Sequence, residues 1–220
     1  MIVERINGGM ANCYILSQGD NAVLVDTGTA KVRDVILEKC RAANVGLVVL
    51  THGHYDHVQN AAFLAEKLGV PIAMHPADMP LLEDILTEPI AAHALQGKLM
   101  AAVIRIGQRP RLRKFATRVQ KNEIPLFTPD IELCDGFSLE PYDVDAKVVA
   151  LPGHTRGSIG LLAGRDLLAG DALMHIGKPG RALHYVDRAA MEASAEKIAM
   201  LGEDVKVWFG HGGPVKNRAW

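Results

Sequence analysis

Hydrophobic positions in this chain follow two rhythms, and the rhythms alternate. "IVERI" near the N-terminus and "NCYIL" from Asn12 read as strands, and "AVLVD" pairs with the second through the turn "SQGDN". "TGTA" breaks the pattern. From Lys31 to Ala43 the apolar positions Val32, Val35, Ile36 and Cys40 take helical spacing. "VGLVVL" is then an unbroken apolar run, as a strand buried on both faces requires. Val58 to Leu68 predicts a helix closed by Gly69, and "VPIAMH" the next strand. From Ile131 onward "IELCDG", "FSLEPYD", "KVVALPG", "SIGLLAG" and "DLLAGD" read as strands. Val186 to Leu201 predicts a helix capped by Asp187, and "DVKVWFG" a last strand ending at Gly210. Between the two halves the rhythm changes. Leu81, Leu82, Ile85 and Leu86 predict one helix, and Leu95, Leu99, Ala102, Val103 and Ile106 another, followed by "RPRLRKFATRVQK". Residues 76 to about 125 are thus expected to form a helical, basic insertion within a single domain spanning 1–220.

Charge sets that insertion apart. Gly97 to Asn122 holds eight of the 24 lysines and arginines and none of the 25 acidic residues, so the rest of the chain is acidic. Only Phe115 is interleaved with those cations, whereas nucleic-acid surfaces normally add aromatics or a known module, so nucleic acid is not an expected partner. A basic amphipathic helix suits a weak membrane-surface or other anionic contact, and its apolar residues suit a homodimer. Cys13, Cys40 and Cys134 are odd in number and scattered; they are expected to be reduced, with at least two buried. Glu4 and Arg5 interrupt any leader-like run, and no apolar stretch approaches the ~20 residues of a membrane span, so the expected location is the cytoplasm.

Titratable residues gather where strands end. His52, His54, Asp56 and His57 follow "LVVL"; His154 follows "VVALPG"; Asp171 follows "LLAG"; His211 follows "VKVWFG". Open α/β sheets bind ligands beyond the carboxyl ends of their strands. Four strand ends, each with glycine beside the ligand-type residue, exceed what a polar loop composition predicts. Five imidazoles and two carboxylates suit two divalent ions of the zinc class, and with no thiolate they suit iron or manganese equally.

"THGHYDH" together with "GHTRGS", "AGD" and "FGHGG" resembles the metallo-β-lactamase-fold superfamily, and the opening "NCYIL…VLVDTGT" extends the likeness over nearly the whole chain. The resemblance implies an α/β fold, a four-layer αβ/βα sandwich of two mixed β-sheets flanked by helices. It places His52, His54 and His154 on one ion, Asp56, His57 and His211 on a second, and Asp171 between them. It gives Asp56 and Asp171 catalytic roles: Asp171 spaces the ions, and Asp56 passes a proton through its free oxygen. Two such ions hold a bridging water and lower its pKa toward neutrality for attack on a small-molecule substrate. Asp26 in "VDTG" reads either as a group orienting the histidine loop or as a turn former.

The commonest antibiotic-hydrolysing branch has cysteine where Asp171 stands and lacks His57, so β-lactam hydrolysis is not expected. The pattern resembles glyoxalase II and the lactonases, which implies cleavage of an ester, thioester or lactone. Glyoxalase II carries a further C-terminal helical domain, and with only nine residues after His211 a glutathione substrate is not expected. A phosphodiesterase or nuclease of the same fold is the alternative, supported by the basic run; a mononuclear iron sulfur dioxygenase is weaker, because the second ligand set is complete. The loop "IGKPGRAL" follows Asp171 closely, which makes Lys178, Arg181, His184 and Tyr185 candidates for substrate contact. His75 and His93 are read as structural or solvated.

Overall fold

A computed structural model describes residues 1–84, 86–92, 95–110, 112–114, 116–117 and 126–220. Six strands form the first sheet: β1 (Ile2–Asn7), β2 (Asn12–Gln18), β3 (Asn21–Val25), β4 (Val45–Val49), β5 (Ile72–Met74) and, after the two-residue β6 (Ala91–Ala92) elsewhere, β7 (Ile131–Glu132). The β1–β2–β3 meander is antiparallel; β3, β4, β5 and β7 then run parallel. The second sheet has five strands. They are β8 (Lys147–Ala150), β9 (Ile159–Ala163) and β10 (Asp166–Leu168), then β14 (Lys206–Trp208) and β15 (Val215–Lys216), in the order β15-β14-β10-β9-β8. A hairpin of β11 (Leu173–Ile176) and β12 (Lys178–Arg181) and the short β13 (His184–Tyr185) lie between β10 and β14 in sequence.

Side-chain alternation builds the layers. In β4 and the residue after it, Leu47 and Val49 pack against the second sheet, while Val48 and Leu50 face α1 (Arg33–Ala42) and α3 (Ala61–Leu68). The second sheet repeats the device. Val148, Leu168 and Trp208 fill the space between sheets; Val149, Leu167 and Val207 meet Ala195 and Ile198 of the C-terminal helix Arg188–Ala199. Helices therefore cover both outer faces, and the chain is a four-layer α/β sandwich. Truncating one of these buried leucines to alanine costs about 2–5 kcal/mol, a large share of the about 5–15 kcal/mol that holds a domain folded. Cys13 and Cys40 are buried in the first half, Cys134 is exposed, and all three are free.

Four expectations need correction. The helix expected over Val58–Leu68 is two: α2 (Tyr55–Val58) begins inside the histidine motif, and α3 follows after Gln59 and Asn60. Asn60 causes the break by donating its side-chain amide to the carbonyls of Thr27 and Thr29, 2.7 and 2.9 Å away. "FSLEPYD" is not a strand; Ser138 makes one bridge to Lys147, and Glu140–Tyr142 form a 3-10 turn around Pro141, which cannot donate to a ladder. "IELCDG" contributes only the two residues of β7. In the insertion, α4 (Met79–Glu83) stops before Leu86, whereas the helix expected from Leu95 is present as α5 (Leu95–Gly107), with Leu99, Val103 and Ile106 exposed. Among the described residues no helix is long and apolar enough to cross a membrane. His93, Arg111 and Phe115 lie outside the described residues.

Candidate metal centre

The carboxyl ends of β3, β4, β8, β10 and β14 all open on one edge of the sandwich. Loops from the two sheets are joined there: Ile159 donates to the Thr51 carbonyl at 2.9 Å, and Asn12 to the Gly210 carbonyl at 2.7 Å. Asp26 leaves β3 in the left-handed region, φ 60°, a conformation that costs an L-residue on the order of 1 kcal/mol. Its carboxylate is buried and accepts from the Thr51 N–H and hydroxyl, both at 2.8 Å, and from His57 Nδ1 at 2.8 Å. Both readings of Asp26 therefore hold in one residue: it makes the turn, and it grips the first and last residues of the histidine loop.

Second partners fix the rings. His52 Nδ1 meets the Thr51 hydroxyl at 3.1 Å, His154 Nδ1 donates to the His184 carbonyl at 3.1 Å, and His211 Nδ1 to the Met10 carbonyl at 3.1 Å. With His57 on Asp26, four rings are left presenting Nε2 to the centre. His54 is the exception and presents Nδ1, which lies 3.1 Å from His52 Nε2 and 2.9 Å from His154 Nε2.

All seven residues singled out in the sequence converge. His52, His54 and His154 form one group with potential ligand atoms within 4.8 Å of one another; Asp56, His57 and His211 form a second; His52, His57 and Asp171 form a third between them. Asp171 spans the groups, with Oδ2 at 3.2 Å from His211 Nε2 and 3.6 Å from His154 Nε2, and Oδ1 at 3.7 Å from His57 Nε2.

Protonation divides the set. Burial, with the imidazoles of His57 and His54, pushes His52 well below its ordinary value; burial and then His184 and His54 do the same to His154. Burial and His184 push His54 down to about 4. Burial also works against protonation of His57, but the carboxylates of Asp26, Asp171 and Asp56 win and raise it to about 10. His211 is raised in the same sense by Asp171 and Asp56 against burial. Burial works to raise Asp171, and His57 and His211 beside it hold it well below the carboxylate range.

The residues fit a pair of divalent ions on an observation independent of spacing. His57 Nε2 and Asp171 Oδ1 are buried with no hydrogen-bond partner among the described residues. Stranding such atoms costs about 1–3 kcal/mol each, and a cation shared between them removes that cost. The donors are imidazole nitrogen and carboxylate oxygen without thiolate, a set suited to zinc, iron or manganese.

A cavity of about 360 Å³ opens onto His54, Asp56, Asp171, His184 and His211. The rest of its lining is Met10, Leu86, Ile90, Met174, Ile176 and Leu183, and no Lys or Arg among the described residues reaches it. Sequence reasoning did not single out these apolar residues for the site; their spacing carries no signal beyond ordinary core and loop positions. The insertion supplies one wall. β6 pairs with β13, the Arg105 side chain donates to the Ile90 carbonyl at 3.1 Å, and Gln108 donates to the Glu88 carbonyl at 2.8 Å. A strap from Leu86 to Ala92 is thereby held against the site.

Of the four residues expected to touch substrate, His184 alone lines the cavity. Its neighbour Tyr185 points to the other face of β13, as strand alternation dictates, and packs with Ala182 and Met191. Arg181 is engaged elsewhere: it donates to the Trp220 carbonyl at 3.1 Å and lies 3.7 Å from Glu192. Lys178 is exposed on β12, away from the lining. His75 accepts from the Ala77 N–H at 3.2 Å and plays a local structural part.

The family model for the metallo-beta-lactamase superfamily matches residues 6–211, and the chain belongs to that superfamily. Among its relatives is a probable metallo-hydrolase of Bacillus subtilis, 25% identical over 98% of this chain and 86% of the relative. A hydroxyacylglutathione hydrolase of Halorhodospira halophila is 29% identical over 91% of this chain, which spans 60% of that protein. The solved structure of TTHA1623 in a di-iron-bound form is 26% identical and superposes with a TM-score of 0.68, covering 98% of this chain and 94% of the other.

Proposed function

We propose that this protein is a dinuclear metallohydrolase that cleaves a small-molecule ester, thioester or lactone with an apolar acyl part. His52, His54 and His154 would hold one divalent ion and Asp56, His57 and His211 the other, with Asp171 shared; zinc is the first candidate, and iron or manganese suit the same donors. When bound, the ions supply Lewis acidity, which makes water nucleophilic near neutral pH and polarises the scissile carbonyl. The chain does the rest. Asp56 is partly exposed, with Oδ2 3.4 Å from His211 Nε2, and is placed to take up a proton at the cavity floor. His184 lines the cavity, and burial pushes its pKa down, which favours the neutral ring beside substrate.

The observation that carries the substrate class is the apolar lining. A phosphodiester brings a permanent negative charge, and no Lys or Arg among the described residues meets it there. The basic residues of the insertion that are described, such as Arg109 and Lys114, do not line the cavity. An acyl chain gains about 0.8 kcal/mol per buried methylene, which is about fourfold in kcal/mol-to-rate terms. The metal-loaded protein is therefore expected to hydrolyse acyl esters and lactones with kcat/KM rising about fourfold per added methylene until the cavity is full. A panel of p-nitrophenyl esters, acyl lactones and thioesters beside bis-p-nitrophenyl phosphate and a chromogenic β-lactam measures this. Faster turnover of the phosphodiester or β-lactam, or rates flat with chain length, would overturn the proposal.

A further inference from the structure

Asp78 is fully buried and belongs to none of the metal-binding groups. It ends the 3-10 turn Pro76–Asp78 after β5, where the insertion begins. Its Oδ2 accepts from the Gly53 N–H at 2.9 Å and the Thr155 hydroxyl at 2.6 Å, and its Oδ1 accepts from the Gly157 N–H at 2.6 Å. These donors come from two different loops. Gly53 lies between His52 and His54, and Thr155 follows His154. No lysine or arginine forms an ion pair with Asp78 among the described residues; two backbone N–H groups and the Thr155 hydroxyl meet its carboxylate, and His75 lies near enough to favour its charge. A buried carboxylate is costly unless its lone pairs are met, so both loops must keep their shape for Asp78 to be accommodated.

The glycines of those loops make the approach close enough. A Cβ at Gly53 would meet the Asp78 carbonyl oxygen at 2.9 Å, and one at Gly157 would meet the Asp78 Cγ at 2.8 Å. The carboxylate thus occupies the space a side chain at residue 157 would take, and the Asp78 backbone, with Leu81, the space at residue 53. Asp26 offers the contrast. It holds Thr51 and His57, while Asp78 bridges the loop of His54 to the loop of His154.

We infer that Asp78 is a positioning residue for the His52, His54 and His154 ion position, setting the placement of His54 against His154 through backbone and hydroxyl donors. This rests on the metal-binding reading above. Asp78→Asn keeps the volume, but its amide group turns a donor toward at least one of the three donors. The test uses two single-position backgrounds, His211→Ala and His154→Ala, with zinc dissociation constants measured by competition with a chromophoric chelator. In the first background, Asp78→Asn is expected to weaken the remaining ion about 10- to 100-fold, the range for loss of an outer partner. In the second it is expected to leave affinity within about threefold of the background on the same scale. Thr155→Val, which removes one hydroxyl donor without changing shape, is expected to move the same position in the same direction by less, and serves if Asp78→Asn does not fold. Equal weakening in both backgrounds, or none in either, overturns the inference while leaving metal binding intact. Absence of bound zinc in the unsubstituted protein would instead overturn the metal reading, and the inference with it.

Discussion

The two candidate ion positions use similar donors and arrive at opposite proton balances. At His52, His54 and His154 the rings are buried among other imidazoles, and burial keeps them neutral. At His57 and His211 the rings are flanked by Asp26, Asp56 and Asp171, and the carboxylates raise His57 to about 10 and shift His211 in the same direction. The first position is ready to receive a cation; the second must displace the proton of His57 to do so. The difference comes from where the carboxylates stand, since His52 and His57 lie in the same loop and are both buried. Ligand identity alone does not set metal affinity; the charge around each ligand does.

In the proposed function Asp171 is shared by both positions, so its loss should break the contrast most severely. Asp171→Asn is expected to lower kcat/KM by more than the about 100-fold typical of losing an outer partner, and to reduce bound metal toward one ion or none per chain by elemental analysis. Retention of two ions with near-normal turnover would remove Asp171 from the shared role. Asp26→Asn acts unequally on the two positions. It takes from His57 the carboxylate 2.8 Å from Nδ1, and reaches the first position only through the Thr51 hydroxyl beside His52; it should weaken the second ion about 10- to 100-fold and the first by less, and isothermal titration of the two steps separates them.

The smallest effect, and the sharpest test of the contrast, is pH. With His57 raised to about 10 in the metal-free protein, a cation binding there below that pH displaces a proton, and affinity falls about tenfold per unit of acidification for each proton released. The first position, with His54 near 4, should bind with no such slope between pH 6 and 8. The metal-free fold carries the matching signs. His57 contributes stability that is present below its ordinary 6.5 and lost as pH rises toward about 10. His54 has the opposite sense: between 6.5 and about 4 the unfolded chain takes up a proton that the folded ring refuses, so stability declines on acidification. Equal pH slopes for both ions would mean that the proton balance does not differ between them.

The sequence alone determined which residues the strand ends carry. The buried run "VGLVVL", the His-x-His-x-Asp-His order after it, and His154, Asp171 and His211 after later strands are local patterns, and local patterns report on strand ends because period and turn chemistry are local. The four layers were implied by the resemblance those motifs carry; which side each residue of the run takes, Leu47 and Val49 to one and Val48 and Leu50 to the other, was fixed by the packed sheets. Helix boundaries near the site were not legible, because Asn60 breaks one helix by bonding to Thr27 and Thr29 in another loop. Only the tertiary structure decided that His184 faces the cavity and Tyr185 turns away, that Arg181 is taken by Trp220, and that the described residues of the insertion at the cavity, Leu86 and Ile90, are apolar. Only it decided that Asp26 and Asp78 hold different parts of the site. Such properties depend on distances between loops 25 to 79 residues apart, and burial, charge and hydrogen bonding at those distances exist only once the two sheets have packed.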